Sequence, residues 1–171
     1  MTTLNTKPKF IKNILVIEND ECRIDWLSSV IPYNVNIHHF SVVNEFISEY
    51  PNHSWDMIIF DCDLDPGNDF EFDDDLGIFV STGSVLDRLD RDINGHNGVD
   101  AARLLCDTYK DILELDLPVV IWSANPKGAW DIKTILDKSG FKNVQRAPYN
   151  LYSLKTLENA INKELNLNDN R

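Results

Sequence analysis

Two aspartates, Asp61 and Asp63, flank Cys62 directly after an apolar run, residues 57–60. Such a run predicts a strand buried on both faces of a parallel sheet, with its carboxyl end at the edge where ligands bind. Side chains two residues apart on a strand point the same way, so these carboxylates repel each other unless a cation, a proton or a donor lies between them. Alternatively, both are solvated loop acids or caps of the next turn.

A second apolar run, residues 13–17, also ends in acids. If the first and third strands are neighbours, the two acidic ends meet, and Ser123 after the fourth strand adds a hydroxyl. Such an oxygen-rich pocket suits a hard cation such as Mg²⁺, which could neutralise a phosphate or phosphoryl group. We therefore predict weak binding of Mg²⁺ or another hard divalent cation. The candidate ligands are Glu18, Asn19, Asp20, Asp61 and Asp63.

The composition restricts the class of protein. With 171 residues, 43% of them hydrophobic, the chain is expected to form one domain, residues 1–171. Its net charge of −12 argues against nucleic acid and anionic membranes as partners, and suits cations or a basic protein. We find no apolar run of about 18 residues and no secretory signal. Three widely spaced cysteines predict free thiols, and hence a cytoplasmic protein.

Histidine spacing gives no sign of zinc. No paired Cys or His spacing predicts a structural zinc site. His38 and His39 are adjacent, so on a strand they face opposite sides.

Apolar patterning predicts five strands that alternate with five helices. This alternation is typical of a doubly wound, five-stranded parallel α/β sheet, and we predict the flavodoxin-like strand order 2-1-3-4-5. The predicted strands are residues 13–17, 35–40, 57–60, 118–122 and 141–146. The predicted helices are residues 21–31, a segment after a Ser41 cap, 98–113, 129–139 and a segment after a Ser153 cap.

An acidic insertion, residues 66–97, interrupts this alternation. Its acids lack the spacing of a calcium-binding EF-hand loop. We therefore predict that residues 66–76 are a solvated, mobile loop, because their charges cannot be buried without partners. Residues 84–93 are expected to form one or two helical turns.

Three motifs together resemble the receiver domain of two-component response regulators. They are Ile-Glu-Asn-Asp at 17–20, Ile-Ile-Phe-Asp at 58–61 and Val-Val-Ile-Trp-Ser-Ala at 119–124, followed by a proline after strand five. The resemblance covers about residues 12–165, apart from the insertion, and implies a role in phosphorelay signal transduction. It also implies roles for single residues: Glu18 and Asn19 in holding magnesium, Asp61 as phosphoryl acceptor, Ser123 as switch hydroxyl and Asp63 as a backbone metal ligand.

Two positions depart from the receiver pattern. Asn19 replaces the second acid of the pair, and Asp20 is a candidate substitute. Ala147 replaces the lysine before the proline of strand five, and its neighbour Arg146 should point the other way on a strand. Without that lysine, a charge-assisted contact to the phosphoryl group is missing, so phosphorylation of Asp61 should be slow or short-lived.

A narrower resemblance is to cyclic-phosphate processing receivers. It depends on residues 60–64, 97–100 and the Ser-Ala-Asn-Pro-Lys-Gly motif at 123–128. The two histidines of that branch are Cys62 and Trp122 here. Within the last motif, Asn125 and Lys127 are candidate binding residues. Lys127 either supplies the missing positive charge or is a surface lysine of the first helical turn.

Two functions follow from these resemblances. In the first, which we favour, the protein is an atypical stand-alone receiver that signals through contacts with a protein partner. In the second, it is a phosphoesterase-like enzyme that acts on small or cyclic phosphates. The missing histidines argue against catalysis, and the negative charge argues against an RNA substrate. The resemblance places partner contacts on the helix that includes Ala129 and on its neighbouring strand.

Overall fold

The computed structural model describes residues 11–31, 34–62, 64, 70–73, 78–81, 98–148 and 154–165. Asp63, the predicted helix at 84–93 and Ser153 lie outside the described residues. The elements of the described part are β1 (Lys12–Ile17), α1 (Glu21–Val30), β2 (Val35–Phe40), α2 (Val43–Glu49), β3 (Met57–Phe60), β4 (Phe70–Asp73), β5 (Ile78–Ser81), α3 (Gly98–Tyr109), β6 (Val119–Ser123), α4 (Pro126–Lys138), β7 (Val144–Pro148) and α5 (Leu154–Glu164). A short 3-10 helix, Tyr50–Asn52, follows α2.

Five of the strands form one parallel sheet in the order β2-β1-β3-β6-β7. This confirms the predicted order 2-1-3-4-5 and the adjacency of the first and third strands. Ile17 lies opposite Phe40 on one side and Phe60 on the other, so β1, β2 and β3 end at the same level. The residues after β1 and β3 therefore meet at one edge of the sheet.

Strand alternation separates two hydrophobic layers. The face that includes Leu15 and Phe60 packs against α2, α3 and α4. The face that includes Val16 and Ile59 packs against α1 and α5, mainly through Leu27 and Ile161. Helices thus cover both faces, which explains why β3 is apolar at every position and why Ile14–Ile17 of β1 are apolar as well.

The insertion contains a strand pair that the sequence analysis did not predict. Strands β4 and β5 are antiparallel and form a separate two-stranded sheet. The prediction of a loop over residues 66–76 was therefore wrong for residues 70–73, which form a strand. Phe-Glu-Phe-Asp alternates apolar and acidic residues with the period of a strand, a signal that the density of acids obscured.

Several predicted helix ends shift. Helix α2 begins at Val43, and its N-cap residue Val42 makes no side-chain cap, so the predicted Ser41 cap was wrong. Helix α4 begins at Pro126, three residues earlier than expected, because Asn125 caps it and proline is favoured in the first turn. Helix α3 ends at Tyr109. Within the described residues, no helix is long and apolar enough to cross a membrane.

Candidate functional site

Glu18 and Asp61 extend the sheet by one residue beyond β1 and β3. The N–H of Glu18 donates to the carbonyl of Phe40 at 3.0 Å, and the N–H of Asp61 donates to the carbonyl of Ile17 at 2.9 Å. By strand alternation, both side chains lie on the sheet face that α1 covers. The two carboxylates are almost fully buried there. The predicted meeting of these acids is therefore present in the structure.

The cation between these acids is an arginine of the protein itself. Arg23 lies in the first turn of α1, and its Nη1 atom is 2.9 Å from Glu18 Oε2 and 3.2 Å from Asp61 Oδ2. Its side chain is only 9% exposed. One guanidinium nitrogen thus pairs with both carboxylates, in a place where water does not screen the attraction. We call Glu18, Arg23 and Asp61 the buried charge cluster.

Trp122 at the end of β6 holds the arginine from a second side. Arg23 Nη2 donates to the Trp122 carbonyl at 2.7 Å, and Arg23 Cζ lies 4.3 Å from the centre of the Trp122 ring. The Trp122 ring packs in turn on Trp26 of α1, with centroids 5.6 Å apart. Hydrogen bonding, charge pairing and stacking on an aromatic face are contacts that guanidinium makes better than ammonium does.

The cluster carries more negative than positive charge. Two ionised carboxylates and one guanidinium leave a net charge of −1 in a buried place. Burial and, next, the negative charge of Asp61 raise the pKa of Glu18 from 4.5 to about 7, although Arg23 and the backbone N–H groups of Asp20 and Asn19 oppose the shift. Those two N–H groups donate to Glu18 Oε1 at 3.0 and 2.9 Å. Glu18 therefore changes its charge near neutral pH.

Other predicted metal ligands have structural contacts. Asp20 is the N-cap of α1, and its Oδ1 accepts from the N–H groups of Cys22 at 2.9 Å and Arg23 at 3.3 Å. The N–H of Asn19 donates to Glu18 Oε1. Of the five predicted ligands, the structure brings Glu18 and Asp61 together around Arg23, and Asp63 lies outside the described residues.

The candidate site residues at and after the end of β6, namely Ser123, Asn125 and Lys127, all make contacts within the protein. The buried Ser123 hydroxyl accepts from the N–H of Asn125 at 3.1 Å. Asn125 Oδ1 accepts from the N–H of Gly128 at 2.9 Å and so caps α4. The Lys127 side chain is 88% exposed and bonds to Asp131 at 2.8 Å. Asn125 is thus the N-cap of α4, and Lys127 forms an ion pair at the protein surface.

Two glycines let helices approach the segment that contains Asp61. The N–H of Gly98 donates to the carbonyl of Cys62 at 3.0 Å, and a Cβ atom on Gly98 would overlap the carbonyl oxygen of Asp61. A Cβ atom on Gly128 would lie 3.1 Å from the Cβ atom of the buried Cys62. Two of the three motifs of the narrower resemblance, 97–100 and 123–128, therefore have a packing role.

These residues do not fit Mg²⁺ while Arg23 stays in place. Mg²⁺ takes an octahedral set of oxygens at about 2.0–2.1 Å. One oxygen of each carboxylate, Glu18 Oε2 and Asp61 Oδ2, already contacts Arg23 Nη1. A dication and a guanidinium cannot share two carboxylate oxygens without strong repulsion.

Arg23 is the residue that sequence reasoning missed. One signal could have found it. A cation in the first turn of a helix is unfavourable, because the N–H groups there already carry partial positive charge. An arginine placed three residues after the cap Asp20 therefore indicates a nearby anion.

Comparisons with known proteins give structural matches alone. No protein-family model matches the sequence, and no curated protein matches it. A response-regulator receiver domain protein (CheY-like) from Methanospirillum hungatei superposes with a TM-score of 0.54 at 10% identity, over 94% of this chain and 99% of that one. The protein has the receiver fold of response regulators. The BeF3-activated DrrB receiver domain gives a TM-score of 0.50 at 10% identity, over 91% of this chain and 98% of that one.

A similar fold also forms part of longer chains. A structure of RcsB dimers bound to DNA matches with a TM-score of 0.52 and 10% identity, over 92% of this chain and 61% of that one. At this identity the likeness concerns the fold alone, so the expectation against nucleic acid stays a prediction. The receiver fold does account for the meeting of Glu18 and Asp61, since its first and third strands are neighbours.

Proposed function

We propose that this protein is a receiver-fold regulator that acts through protein contacts and does not depend on a metal-assisted phosphoryl cycle. The observation that carries the proposal is the position of Arg23 Nη1, in contact with both Glu18 and Asp61. An internal cation thus lies between the two acids where an external ion would otherwise bind. The domain would then hold one state without a bound ion.

Two further features support this proposal. Position 147 is a buried alanine, so no ammonium group is available there to pair with a phosphoryl group. The side chain of Arg146, the residue next to Ala147 on β7, lies on the other face of the sheet. Its Cζ atom lies 5.7 Å from the ring centre of Trp130 on α4. The contacts that would stabilise a phosphorylated Asp61 are therefore weak.

The contact surface that we propose includes Trp130 and Arg146. Trp130 is 58% exposed, which is unusual for so large an apolar side chain. Tryptophan and arginine are enriched among the residues that dominate the free energy of protein binding. The net charge of −12 favours a partner with a basic surface.

A phosphoesterase has less support. Cys62 and Trp122 stand where cyclic-phosphate processing receivers have histidines, and both side chains are buried. An indole cannot act as a general acid or base, because its N–H does not titrate in the accessible range. An activity of this kind would need other groups.

The proposal is tested by titration with Mg²⁺ and beryllofluoride, the phosphoryl mimic used for the DrrB receiver domain. Calorimetry and native mass spectrometry should detect no complex with the wild-type protein at millimolar Mg²⁺. Arg23→Met should gain Mg²⁺ binding, because two buried carboxylates lose their cation. Arg103→Met removes an exposed arginine that pairs with Asp100, and should behave as wild type does. A stoichiometric Mg²⁺–beryllofluoride complex of the wild-type protein would overturn the proposal.

The contact surface is tested separately. Trp130→Ser should abolish the cross-linking of partners in cells that express the protein. Ile112→Ser is a matched control, since Ile112 is also 58% exposed. Equal cross-linking by both variants would exclude Trp130 from the contact.

A further inference from the structure

Two histidines and a glutamate form a cluster away from the buried charge cluster. His38 lies on β2, Glu49 is the last residue of α2, and His53 follows the 3-10 helix. One ligand atom from each side chain lies within 4.8 Å of the others. His53 Nε2 is 2.7 Å from Glu49 Oε1. The fold thus collects three side chains with metal-binding atoms from positions up to 15 residues apart.

The spacing suits a tetrahedral metal ion after small side-chain movements. Zinc bonds to histidine nitrogen and carboxylate oxygen are about 2.0–2.1 Å long, so neighbouring ligand atoms stand about 3.3 Å apart. The 2.7 Å pair must open slightly, and the wider pairs of up to 4.8 Å must close. Rotation of partly exposed side chains is sufficient for changes of this size.

Neighbouring residues orient the three candidate ligands. Asn52 Nδ2 donates to Glu49 Oε2 at 3.1 Å, which leaves Oε1 directed at His53. The Trp55 ring meets both imidazoles edge-on, with centroids 4.9 Å from His38 and 5.3 Å from His53. Trp55 is itself fixed by a 2.7 Å bond from its Nε1 to the carbonyl of Tyr50. A hydrogen bond to a ligating carboxylate, such as that from Asn52, orients the ligand and raises metal affinity.

The chemistry of the donors selects the ion. Two imidazoles and one carboxylate favour Zn²⁺ and related transition metal ions over Mg²⁺ or Ca²⁺, which prefer oxygen. His53 is 40% exposed, so solvent can reach the ion.

We propose that His38, Glu49 and His53 bind Zn²⁺, with a water molecule or an external ligand in the fourth position. The ion would join β2 to the segment that follows α2. This site is independent of the buried charge cluster and of the function proposed above. Adjacent His39 takes no part, because its Nε2 lies 2.6 Å from the carbonyl of Glu18 on the other face of the strand.

The experiment uses the full chain without an affinity tag, stripped of metal by a chelator. Calorimetry with ZnCl₂ should show one ion bound per chain, and MgCl₂ should not compete. His53→Ala and Glu49→Gln should each weaken Zn²⁺ binding at least tenfold. Glu45→Gln is the matched control, because Glu45 is exposed one turn earlier on the same helix.

Two further results decide the assignment. With Co²⁺ in place of Zn²⁺, the wild-type protein should show the intense visible absorption of a tetrahedral site, and His53→Ala should not. The His53 side chain is 40% exposed, so this substitution should leave the fold intact. No zinc bound by the wild-type protein would refute the site. Unchanged zinc affinity of His53→Ala and Glu49→Gln would also refute it, because the ion would then be held elsewhere, for example by the exposed Cys22.

Discussion

The guanidinium group of Arg23 lies on the indole ring of Trp122 and donates to the carbonyl of that same residue. A charged group from α1 is thus held against the end of β6, while its other side pairs with the acids at the ends of β1 and β3. Three strands and one helix meet at a single side chain. The ion pairs are therefore part of the tertiary packing at this edge of the sheet.

Removal of the Arg23 charge should destabilise the protein. We expect Arg23→Met to lower the free energy of unfolding by about 3–5 kcal/mol, because it leaves two carboxylates buried without their cation. Arg103→Met removes an exposed pair with Asp100 and should cost less than about 1 kcal/mol. Urea denaturation of both variants measures the difference. Equal losses would mean that the buried pairs contribute no more than a surface pair.

Rescue by magnesium gives a second measurement on Arg23→Met. If the opened acids bind Mg²⁺ with a dissociation constant of about 1 mM, then 10 mM Mg²⁺ should restore about 1.4 kcal/mol of stability. The wild-type protein should gain nothing specific from the same concentration. A variant that Mg²⁺ does not stabilise would show that the two carboxylates alone cannot hold the ion.

Stability should fall as the pH rises towards 8. The pKa of Glu18 is about 7 in the folded protein and 4.5 without its surroundings, so the folded state binds the proton more tightly. This contribution is complete below pH 4.5 and is lost as the pH rises through 7, by about 3 kcal/mol in all. Glu18→Gln stays neutral and should not show that loss. The measurement is the difference in unfolding free energy between the two proteins from pH 4.5 to 8.5.

Glu164 provides a control of opposite sign for that pH series. Hydrogen bonds from Asn143 and Gln145 lower the pKa of Glu164. Its contribution to stability is therefore present above pH 4.5 and lost as the pH falls. Glu164→Gln should change the acid end of the profile and leave the slope near pH 7 intact. A wild-type slope that survives in Glu18→Gln would assign the titration to another group.

Gly98→Ala should destabilise the protein, although alanine normally favours a helix. A Cβ atom at position 98 would overlap the carbonyl oxygen of Asp61, so α3 or the end of β3 must move. We expect a loss of about 3 kcal/mol or more. Gly128→Ala is the milder comparison, since its nearest contact would be 3.1 Å. Thermal unfolding of both variants tests the order, and a stable Gly98→Ala would contradict the packing described.

Asp20 should behave as a helix cap. Asp20→Ala should cost about 1 kcal/mol, because the N–H groups of Cys22 and Arg23 lose their acceptor. Asp20→Asn should be nearly neutral, since asparagine caps as well as aspartate does. Chemical denaturation distinguishes a capping role from a role of the negative charge. A large loss of stability in Asp20→Asn would mean that the charge of Asp20 matters.

The sequence by itself determined the architecture of this protein. Apolar runs such as Met57–Phe60 can only be buried between two layers, and their alternation with amphipathic helices permits few arrangements. The meeting of Glu18 and Asp61 followed from that topology, since both come directly after neighbouring strands. Patterns of this kind involve residues close together in the sequence, so they can be recognised without the three-dimensional structure.

The tertiary structure alone decided which group neutralises the acids and where else charges meet. Arg23 reaches Asp61, 38 positions further along the chain, because α1 packs over the ends of β1 and β3. His38 meets His53 because α2 returns the chain to the side of β2. The periodicity of apolar residues in the sequence does not predict such contacts, because they depend on where a side chain points between two packed elements. The same acids could bind a metal ion or an arginine, and the three-dimensional position of one guanidinium group selects between them.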